Sequence, residues 1–302
     1  MIIKERELST QLKKLFALDK RSKLLNPQTN SIEYRMKGYK GECQFDALIR
    51  TLKCDCLVLN DLMLRVNGQT CQIDTLVITS KGVTIYEVKN YEGQFVYTEE
   101  KLKILTTNKE ISNPVHQLNR TTNLFRQLMQ EQKVSFPLSA HIVFINNRFT
   151  LFQAPIAEYF IFPTMLSHHL MKLNNIQKSL NQSHHRFADM LKHLHIADVN
   201  YTSLPDYNLE DLKKRNFCKV CMSELEHSHG RIWKCRDCNT DIVSHKVILD
   251  QIEDFRLLFS DKKLKTGTIY DWCGKAFSKK SIRIVLSKNY ELKGQSKASY
   301  YE

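Results

Sequence analysis

The stretch that decides the fold is residues 71–93, CQIDTLVITSKGVTIYEVKNYEG. Apolar and β-branched residues dominate both halves of it, and Ser-Lys-Gly at 80–82 separates the halves. Gly and Ser between two such runs are typical of a tight turn, so the pattern predicts a β-hairpin with strands at 71–79 and 83–90. The surrounding sequence is interpreted outward from this hairpin.

Two carboxylates and a lysine lie on the facing strands of the predicted hairpin. Because side chains alternate along a strand, Glu87 and Lys89 share one face of the second strand. On the first strand the same rule groups Gln72, Asp74 and Leu76. Closing the turn brings Asp74 near Glu87 across the ladder. The sequence therefore predicts an acidic pair beside an ammonium group.

This trio is suited to metal-dependent phosphodiester chemistry. Two neighbouring carboxylates repel each other unless a cation lies between them, and Mg²⁺ or Mn²⁺ suits such oxygen ligands. The cation would polarise a phosphoryl oxygen and lower the pKa of a bound water, while Lys89 orients that water and balances developing charge. Glu42, on the preceding predicted helix, could complete the metal shell. The alternative is a surface ion pair between Glu87 and Lys89, with Asp74 simply exposed.

Helical and strand patterns alternate over the first 200 residues. Apolar residues spaced three and four apart predict helices, and short β-branched or apolar runs predict strands. Their mixture indicates an α/β sandwich. The helices are expected at about 5–18, 39–52 and 113–130, with two more within 164–195, and the further strands at 56–60, 62–66, 94–98, 101–106, 140–145 and 159–162.

The ordered motifs around the hairpin resemble the NERD (nuclease-related) domain of the PD-(D/E)xK nuclease superfamily. That superfamily carries an Asp, a turn and then Glu-x-Lys on the next strand, as Asp74, Glu87 and Lys89 do here. One departure is that Ile73, not proline, precedes the aspartate. The matching pieces, in the expected order over about residues 35–130, are Gly38-x-x-Gly41-Glu42, Gln72-Ile73-Asp74, Gly82-Val83, Glu87-Val88-Lys89-Asn90, Gly93 and Asn113-Pro114-x-x-Gln117.

The resemblance implies a restriction-endonuclease-like fold with Asp74, Glu87 and Lys89 catalytic. It further implies that Glu42 matches the helical acid of the family and Gln117 its helical glutamine. Gln117 could hydrogen-bond a substrate phosphate or a water on the metal; the alternative is an exposed polar helix residue. The implied activity is Mg²⁺- or Mn²⁺-dependent DNA hydrolysis. The competing hypothesis is a non-catalytic DNA-binding or regulatory protein that retains a nuclease fold.

Two Cys-x-x-Cys pairs in the second half of the chain predict a metal site. Cys218 and Cys221 form one pair, Cys235 and Cys238 the other, and thirteen residues separate the pairs. Paired knuckles at this spacing are typical of a four-cysteine Zn²⁺ ribbon. Four thiolates leave no open coordination position, so the zinc is expected to be structural. The alternative is two reduced dithiols or disulfides.

The last part of the chain is strongly basic, because residues 262–297 contain ten Lys or Arg and two acidic residues. Helical patterns at 247–259, 269–273 and 279–286, followed by a hairpin at 289–301, resemble a winged helix-turn-helix. The alternative is a solvated basic cap without a ligand. The residues expected to contact nucleic acid on the recognition helix and wing are Lys279, Lys280, Arg283, Lys288, Lys293 and Lys297.

The composition favours an anionic partner and a reducing compartment. The formal net charge is +13 and the pI about 9.2, which fits DNA, with RNA as the alternative. The first residues, MIIKERELST, lack an apolar signal-peptide core, and the apolar runs are too short for a bilayer. Nine cysteines, an odd number, add to the expectation of a cytoplasmic protein without a membrane partner.

These observations predict three domains. A nuclease-like sandwich is expected at residues 1–200, and the polar segment 200–208 marks its end. A small zinc ribbon is expected at 212–245, followed by a winged-helix-like nucleic-acid-binding domain at 246–302.

Overall fold

The computed structural model describes residues 1–8, 10–22, 26–196, 204, 206–219, 223–295 and 299–302, and the side chains of 26–31 lie outside this description. The chain divides into two compact units. Unit 1 is Met1–Glu7 with Glu33–Val199, and unit 2 is Leu8–Ile32 with Asn200–Glu302. The predicted mixed α/β class is confirmed. No helix among the described residues is long and apolar enough to cross a membrane.

Helices and strands alternate along much of the chain. The elements are, in order, β1 (Ile2–Lys4), α1 (Thr10–Asp19), α2 (Asn26–Ile49), β2 (Cys56–Val66), β3 (Gln69–Thr79), β4 (Gly82–Lys89), β5 (Gly93–Thr98), β6 (Lys101–Ile104), β7 (Glu110–Ile111), α3 (Pro114–Glu131), β8 (Leu138–Phe144), β9 (Phe149–Phe152), β10 (Phe160–Ile161), a 3₁₀ turn (Pro163–Met165), α4 (Leu166–Asn174), α5 (Gln182–Leu194), β11 (Leu225–His229), β12 (Ile232–Cys235), β13 (Asp241–Val243), α6 (Ser244–Leu258), α7 (Thr266–Trp272), α8 (Lys279–Asn289), β14 (Leu292–Lys293) and β15 (Tyr300–Tyr301).

Unit 1 is built on a six-stranded sheet in the order β1-β2-β3-β4-β8-β10. The predicted hairpin is β3 and β4, which pair antiparallel and close with Thr79 opposite Gly82. Gly82 has a φ of +132°, and a Cβ there would collide with the carbonyl oxygen of Pro137, so only glycine fits this turn. Strand β4 then pairs parallel with β8, which buries the hairpin inside the sheet.

The strand before the hairpin differs from the expectation. Two short strands were predicted at 56–60 and 62–66, but β2 runs unbroken past Asp61, which has a φ of +50°. The neighbouring pairs place Asp61 opposite Asp74 of β3. Strict alternation also fails there, because Leu76 lies in the same apolar cluster as Ile73. Both strands thus change their buried face at the position that Asp74 occupies.

Helices cover both faces of the six-stranded sheet. On one face Phe125 of α3 and Phe187 of α5 join the larger apolar cluster. On the other, Phe45 of α2 packs in a second cluster with Tyr86 and Val143. Burial of each such side chain contributes roughly 1.5–3 kcal/mol, so the sheet is held from both sides. A smaller sheet has the strand order β7-β6-β5-β9, and Phe95 on its strand β5 packs in the larger apolar cluster.

The N-terminal region is organised differently from the expected helix at 5–18. Residues Ile2–Lys4 form β1, which pairs parallel with β2 of unit 1. The helix starts only at Thr10, and its buried face, Leu15 to Leu18, includes residues in the apolar cluster of unit 2. The domain expected at 1–200 therefore differs from unit 1 by the segment Leu8–Ile32.

A buried arginine, Arg21, connects that segment to the rest of unit 2 by hydrogen bonds. Arg21 is fully buried, and its Nη1 donates to the carbonyl oxygens of Lys213 at 3.0 Å and Arg215 at 2.9 Å. Nη2 donates to Oε1 of Gln251 at 2.6 Å, and the guanidinium lies 3.8 Å from the ring centre of Trp272. Removing the arginine would leave the buried Oε1 of Gln251 without this donor and break two further hydrogen bonds to backbone carbonyls.

Besides α1 and the first part of α2, the described residues of unit 2 form a three-stranded sheet, the helices α6, α7 and α8, and a two-stranded ladder. The sheet has the order β11-β12-β13, and β14 pairs with β15. The predicted helices at 247–259 and 279–286 correspond to α6 and α8, and the Oγ of Ser278 caps α8 by accepting from the Ser281 amide. The short helix begins at Thr266, three residues before the predicted 269–273. Trp272 packs these helices together, and its Nε1 donates to the carbonyl of Gln251 at 3.0 Å.

Candidate active site and cysteine cluster

The hairpin register brings Asp74 and Glu87 together. Thr75 lies opposite Tyr86, which places Asp74 at the level of Glu87 on the next strand. The amide of Val88 donates a 2.7 Å hydrogen bond to Oδ2 of Asp74 and holds that carboxylate against β4. Both carboxyl-bearing residues are buried, with 6% and 2% of their surfaces exposed. Asp74 is therefore not the exposed strand residue of the alternative interpretation.

Lys89 and Gln117 lie beside Glu87 in the same site. Nζ of Lys89 donates to Oε1 of Glu87 at 2.7 Å and to Oε1 of Gln117 at 3.0 Å. Gln117 reaches it from the first turn of α3, whose start is fixed by Pro114 and by the side chain of Asn113 accepting from the Val115 amide. Four of the five residues expected to be catalytic thus meet on three elements.

Glu42 approaches from α2 and is held by an arginine that the sequence did not single out. Nη1 of Arg6 donates to Oε2 of Glu42 at 2.6 Å. Its Nε donates to Asp46 at 2.8 Å, and Nη2 to the carbonyl oxygen of Asp74 at 2.6 Å. Arg6 therefore fixes both the helical acid and the backbone of β3. It has no motif spacing relative to its partners, so only its contacts identify it.

Gly41 explains how α2 comes so close to the end of β4. A Cβ at Gly41 would lie 2.5 Å from Cβ of Asn90, far inside van der Waals contact. A Cβ at Gly38, one turn earlier, would meet no atom within 4 Å. The glycine at 41 is thus a packing requirement that lets the following Glu42 reach the site.

The electrostatics of the site favour uptake of positive charge. Burial, followed by the charge of Asp74, raises the pKa of Glu87 to about 8, and the same two causes raise the pKa of Glu42 to about 8. Burial also raises the pKa of Asp74. Burial alone would lower the pKa of Lys89, but the charges of Glu87 and Asp74 outweigh it and raise that pKa above its ordinary value. The two cations of the site, Lys89 and Arg6, are outnumbered by the four carboxyl groups of Glu42, Asp46, Asp74 and Glu87.

The donor set fits a hard divalent cation. Each of the three carboxyl groups has one oxygen engaged, by Val88, Lys89 or Arg6. Among the described residues, no hydrogen bond reaches the second oxygen of Asp74, Glu87 or Glu42. Carboxylate oxygens are ligands that Mg²⁺ and Mn²⁺ take. All three line a cleft of about 630 Å³, together with Lys89 and Gln117.

A second cluster lies in unit 2. The Sγ atoms of Cys218, Cys235 and Cys238 all lie within 4.8 Å of one another. The Cys218–Cys238 pair is 3.8 Å apart, too long for a disulfide and equal to the edge of about 3.8 Å that four Zn–S bonds of 2.3 Å give in a tetrahedron. Three converging thiols fit zinc. The fourth predicted ligand, Cys221, falls outside the described residues.

The basic residues of the tail are distributed over α8 and the strand after it. Lys279, Lys280, Arg283 and Lys288 are exposed on α8, whose buried side carries Ile282 among others. Lys293, on β14, pairs with Glu291 at 2.8 Å, which leaves it less available to a phosphate. Lys297 falls outside the described residues.

A protein-family model matches the part of the chain that contains the cleft residues. Residues 37–145 match the model of the NERD family, the nuclease-related domain, so this segment is a nuclease-related domain. The resemblance seen in the motifs is confirmed, and with it the place in the PD-(D/E)xK superfamily. The matched segment contains Glu42, Asp74, Glu87, Lys89 and Gln117.

One curated protein is similar in sequence to part of this chain. An uncharacterised protein of Bacillus anthracis is 29% identical over 113 residues, which cover 35% of this chain and 53% of the relative. The chain thus spans about half the length of that protein. The search of solved structures found no match.

Proposed function

We propose that the chain is a divalent-metal-dependent nuclease that hydrolyses phosphodiester bonds of DNA. The observation that carries the proposal is the convergence of Asp74, Glu87, Lys89 and Gln117 in one cleft of a nuclease-related domain. A nuclease-related domain suggests nucleic acid as substrate, and the net charge of +13 supports an anionic one. The restriction-endonuclease-like fold is part of this proposal.

In this mechanism Asp74 and Glu87 would hold Mg²⁺ or Mn²⁺, and Glu42 would be a further ligand. When bound, the cation supplies polarisation of a phosphoryl oxygen and acidification of a water. Lys89 orients the attacking water and stabilises the negative charge that develops on the phosphoryl group. Gln117 positions the ammonium of Lys89 through its Oε1, and its amide Nε2 would donate a hydrogen bond to a substrate phosphate.

The C-terminal part is proposed to hold the substrate. Cys218, Cys221, Cys235 and Cys238 would bind a structural Zn²⁺ in a ribbon at 212–245, supported by the three converging thiols. Residues 246–302 would form a winged-helix-like module. Its exposed α8 lysines and arginine would contact phosphates. A cytoplasmic location remains part of the proposal.

The deciding experiment is a cleavage assay with the full chain on plasmid, linear duplex and single-stranded DNA, with Mg²⁺, Mn²⁺ or EDTA. We expect metal-dependent cutting, and a loss of roughly 100-fold or more in Lys89→Ala and Asp74→Ala. Lys101→Ala is the matched control, because that exposed lysine lies outside the cleft and pairs with Glu110. DNA binding by the two inactive variants should persist.

The outcome separates the two functional hypotheses. Equal activity of wild type and both cleft variants would trace cutting to a contaminant. No cutting by any form, with DNA binding retained, would favour the non-catalytic DNA-binding protein that keeps a nuclease fold.

A further inference from the structure

The cleft that holds the carboxylates also has an apolar, aromatic lining. Tyr34, Tyr91, Phe95, Ile104 and Ile111 line it together with the charged residues. Its volume of about 630 Å³ lies in the range of pockets that enclose a small organic molecule. Hydrolysis of a phosphodiester needs only the polar residues. Phe95 belongs to the larger apolar cluster, and Tyr91, Ile104 and Ile111 pack against it, so the core accounts for these four residues. Tyr34 lies outside that cluster and requires a separate explanation.

Tyr34 is the exposed part of this lining. It is 75% exposed, and it lines the cleft beside the charged residues. Tyr34, Gly38 and Glu42 are spaced four apart on α2, so the ring lies on the same helix face as the helical acid. The missing side chain at Gly38 leaves the path along that face open.

Tyr91 forms the fixed part of the lining. Its ring stacks on Phe95, with centroids 5.5 Å apart and planes 27° from parallel, and it also contacts Phe144 and Phe149. Such packing holds the ring in one orientation at low entropic cost. Tyr91 is two residues beyond Lys89, so this platform adjoins the group proposed to stabilise the reacting phosphoryl.

The rim of the cleft carries positive charge. Lys37 and Lys109 both line it. Lys37 pairs with Glu92, with Nζ 2.8 Å from Oε2, which leaves Lys37 less available to a phosphate than Lys109. Lysines at a rim suit the phosphates that flank a nucleotide, while aromatic rings suit the base. The cleft thus offers contacts for the base and the phosphates of a nucleotide.

We propose that the cleft takes an unpaired nucleotide, with its base against Tyr34 and Tyr91, and that the site acts on single-stranded DNA or frayed ends. This inference rests on the proposed nuclease function. Inside a continuous duplex both faces of a base are covered by neighbours, so stacking on a protein ring requires the nucleotide to leave the helix at a cost in free energy. An already unpaired strand avoids that cost.

A stacking measurement tests the inference directly. A short single strand with 2-aminopurine is titrated with the full chain in the Asp74→Asn background with Mg²⁺, so that cleavage does not interfere. We expect the probe's fluorescence to be quenched, and Tyr34→Ala to weaken the quenched complex roughly tenfold or more. Tyr34→Phe should restore it, because the ring is retained. Phe152→Ala is the control, since that ring is exposed outside the cleft.

Cleavage measurements distinguish this inference from the proposed nuclease function on which it rests. We expect wild type to cut single strands and frayed ends at least about tenfold faster than a blunt, closed duplex. Equal cutting of both, or quenching that Tyr34→Ala leaves unchanged, would overturn the inference while the nuclease function stands. No cutting of any DNA would overturn the function, and the quenching would still decide whether the cleft takes a base.

Discussion

The ammonium of Lys89 donates a 3.0 Å hydrogen bond to Oε1 of Gln117, so strand β4 and helix α3 meet at one group. The same Nζ lies 2.7 Å from Glu87. The lysine is therefore held both by its own strand and by a helix residue 28 positions further along the sequence. A flexible surface lysine would lose this orientation, and orientation is what a group that stabilises a transition state requires.

Binding of Mg²⁺ should depend steeply on pH. Glu87 and Glu42 have pKa values of about 8, so near neutral pH the cation must displace protons from them. We expect the apparent Mg²⁺ affinity to rise from pH 6 to 8, by about tenfold per pH unit for each proton displaced. Calorimetry in two buffers of different ionisation enthalpy measures the protons released. Zero release at pH 7 would contradict the prediction.

The same pKa shifts predict how the metal-free chain responds to pH. The pKa values of Glu87 and Glu42 in the folded state lie above the ordinary value of 4.5. The folded state therefore binds more protons than the unfolded state between about pH 4.5 and pH 8. The free energy of unfolding contributed by these groups is therefore fully present below that window and is lost as pH rises through it. We expect Mg²⁺ to raise the melting temperature more at pH 8.5 than at pH 6. An increment independent of pH would be the contrary result.

Two glycines on one helix should respond oppositely to alanine. Gly41→Ala places a Cβ 2.5 Å from Asn90, and such overpacking costs about 1–3 kcal/mol. Gly38→Ala meets no neighbouring atom and should stabilise α2 by about 1 kcal/mol. Urea unfolding of both variants measures the difference. If Gly41→Ala is as stable as Gly38→Ala, the close approach of α2 to β4 is wrong.

Arg6 should be important for stability although it lies outside every motif. Arg6→Ala leaves Glu42 and Asp46 without their shared cation in a largely buried place, so we expect a loss of about 3–5 kcal/mol. Arg50→Ala is the control, because that arginine is half-exposed and pairs with exposed Glu5. Its effect should stay within about 0.5 kcal/mol. Comparable losses in the two variants would contradict the role of Arg6.

The cysteine cluster predicts one zinc per chain. We expect elemental analysis of the purified full chain to find it, and Cys235→Ser to lower the content substantially. Chelation should release the zinc and lower the melting transition of unit 2, because a bound metal stabilises the folded state. Cys54→Ser is the control, since Cys54 lies in unit 1. Unchanged zinc in Cys235→Ser would exclude this site.

The exposed charges of α8 predict salt-dependent DNA binding. Replacing both Lys280 and Arg283 by Gln should weaken binding and lower the slope of log affinity against log salt, by about 0.9 for each phosphate that is no longer neutralised. Glu291 partly neutralises Lys293, so Lys293→Gln should change the slope less. Equal slopes for wild type and the double variant would remove α8 from the interface.

Local pattern was sufficient for the centre of the nuclease-related domain. Alternation places Glu87 and Lys89 on one face whatever surrounds them, and the turn before Val83 leaves few other pairings. The ordered motifs over about residues 35–130 then identified the family, whose model matches residues 37–145. Alternation failed at Asp74, because Asp61 on the neighbouring strand takes a φ of +50° and both strands change face there.

Tertiary structure decided what the local patterns left open. Helical periodicity shows that Leu15 and Leu18 need a core, but it carries no information on which one, and α1 packs in unit 2. Arg6 reaches Asp74 over 68 residues of sequence, a contact that only the folded sheet creates. Sequence by itself therefore determined which side chains could perform the chemistry of the hairpin. The fold determined their burial, their raised pKa values and the aromatic cleft around them, because all three depend on contacts between distant segments.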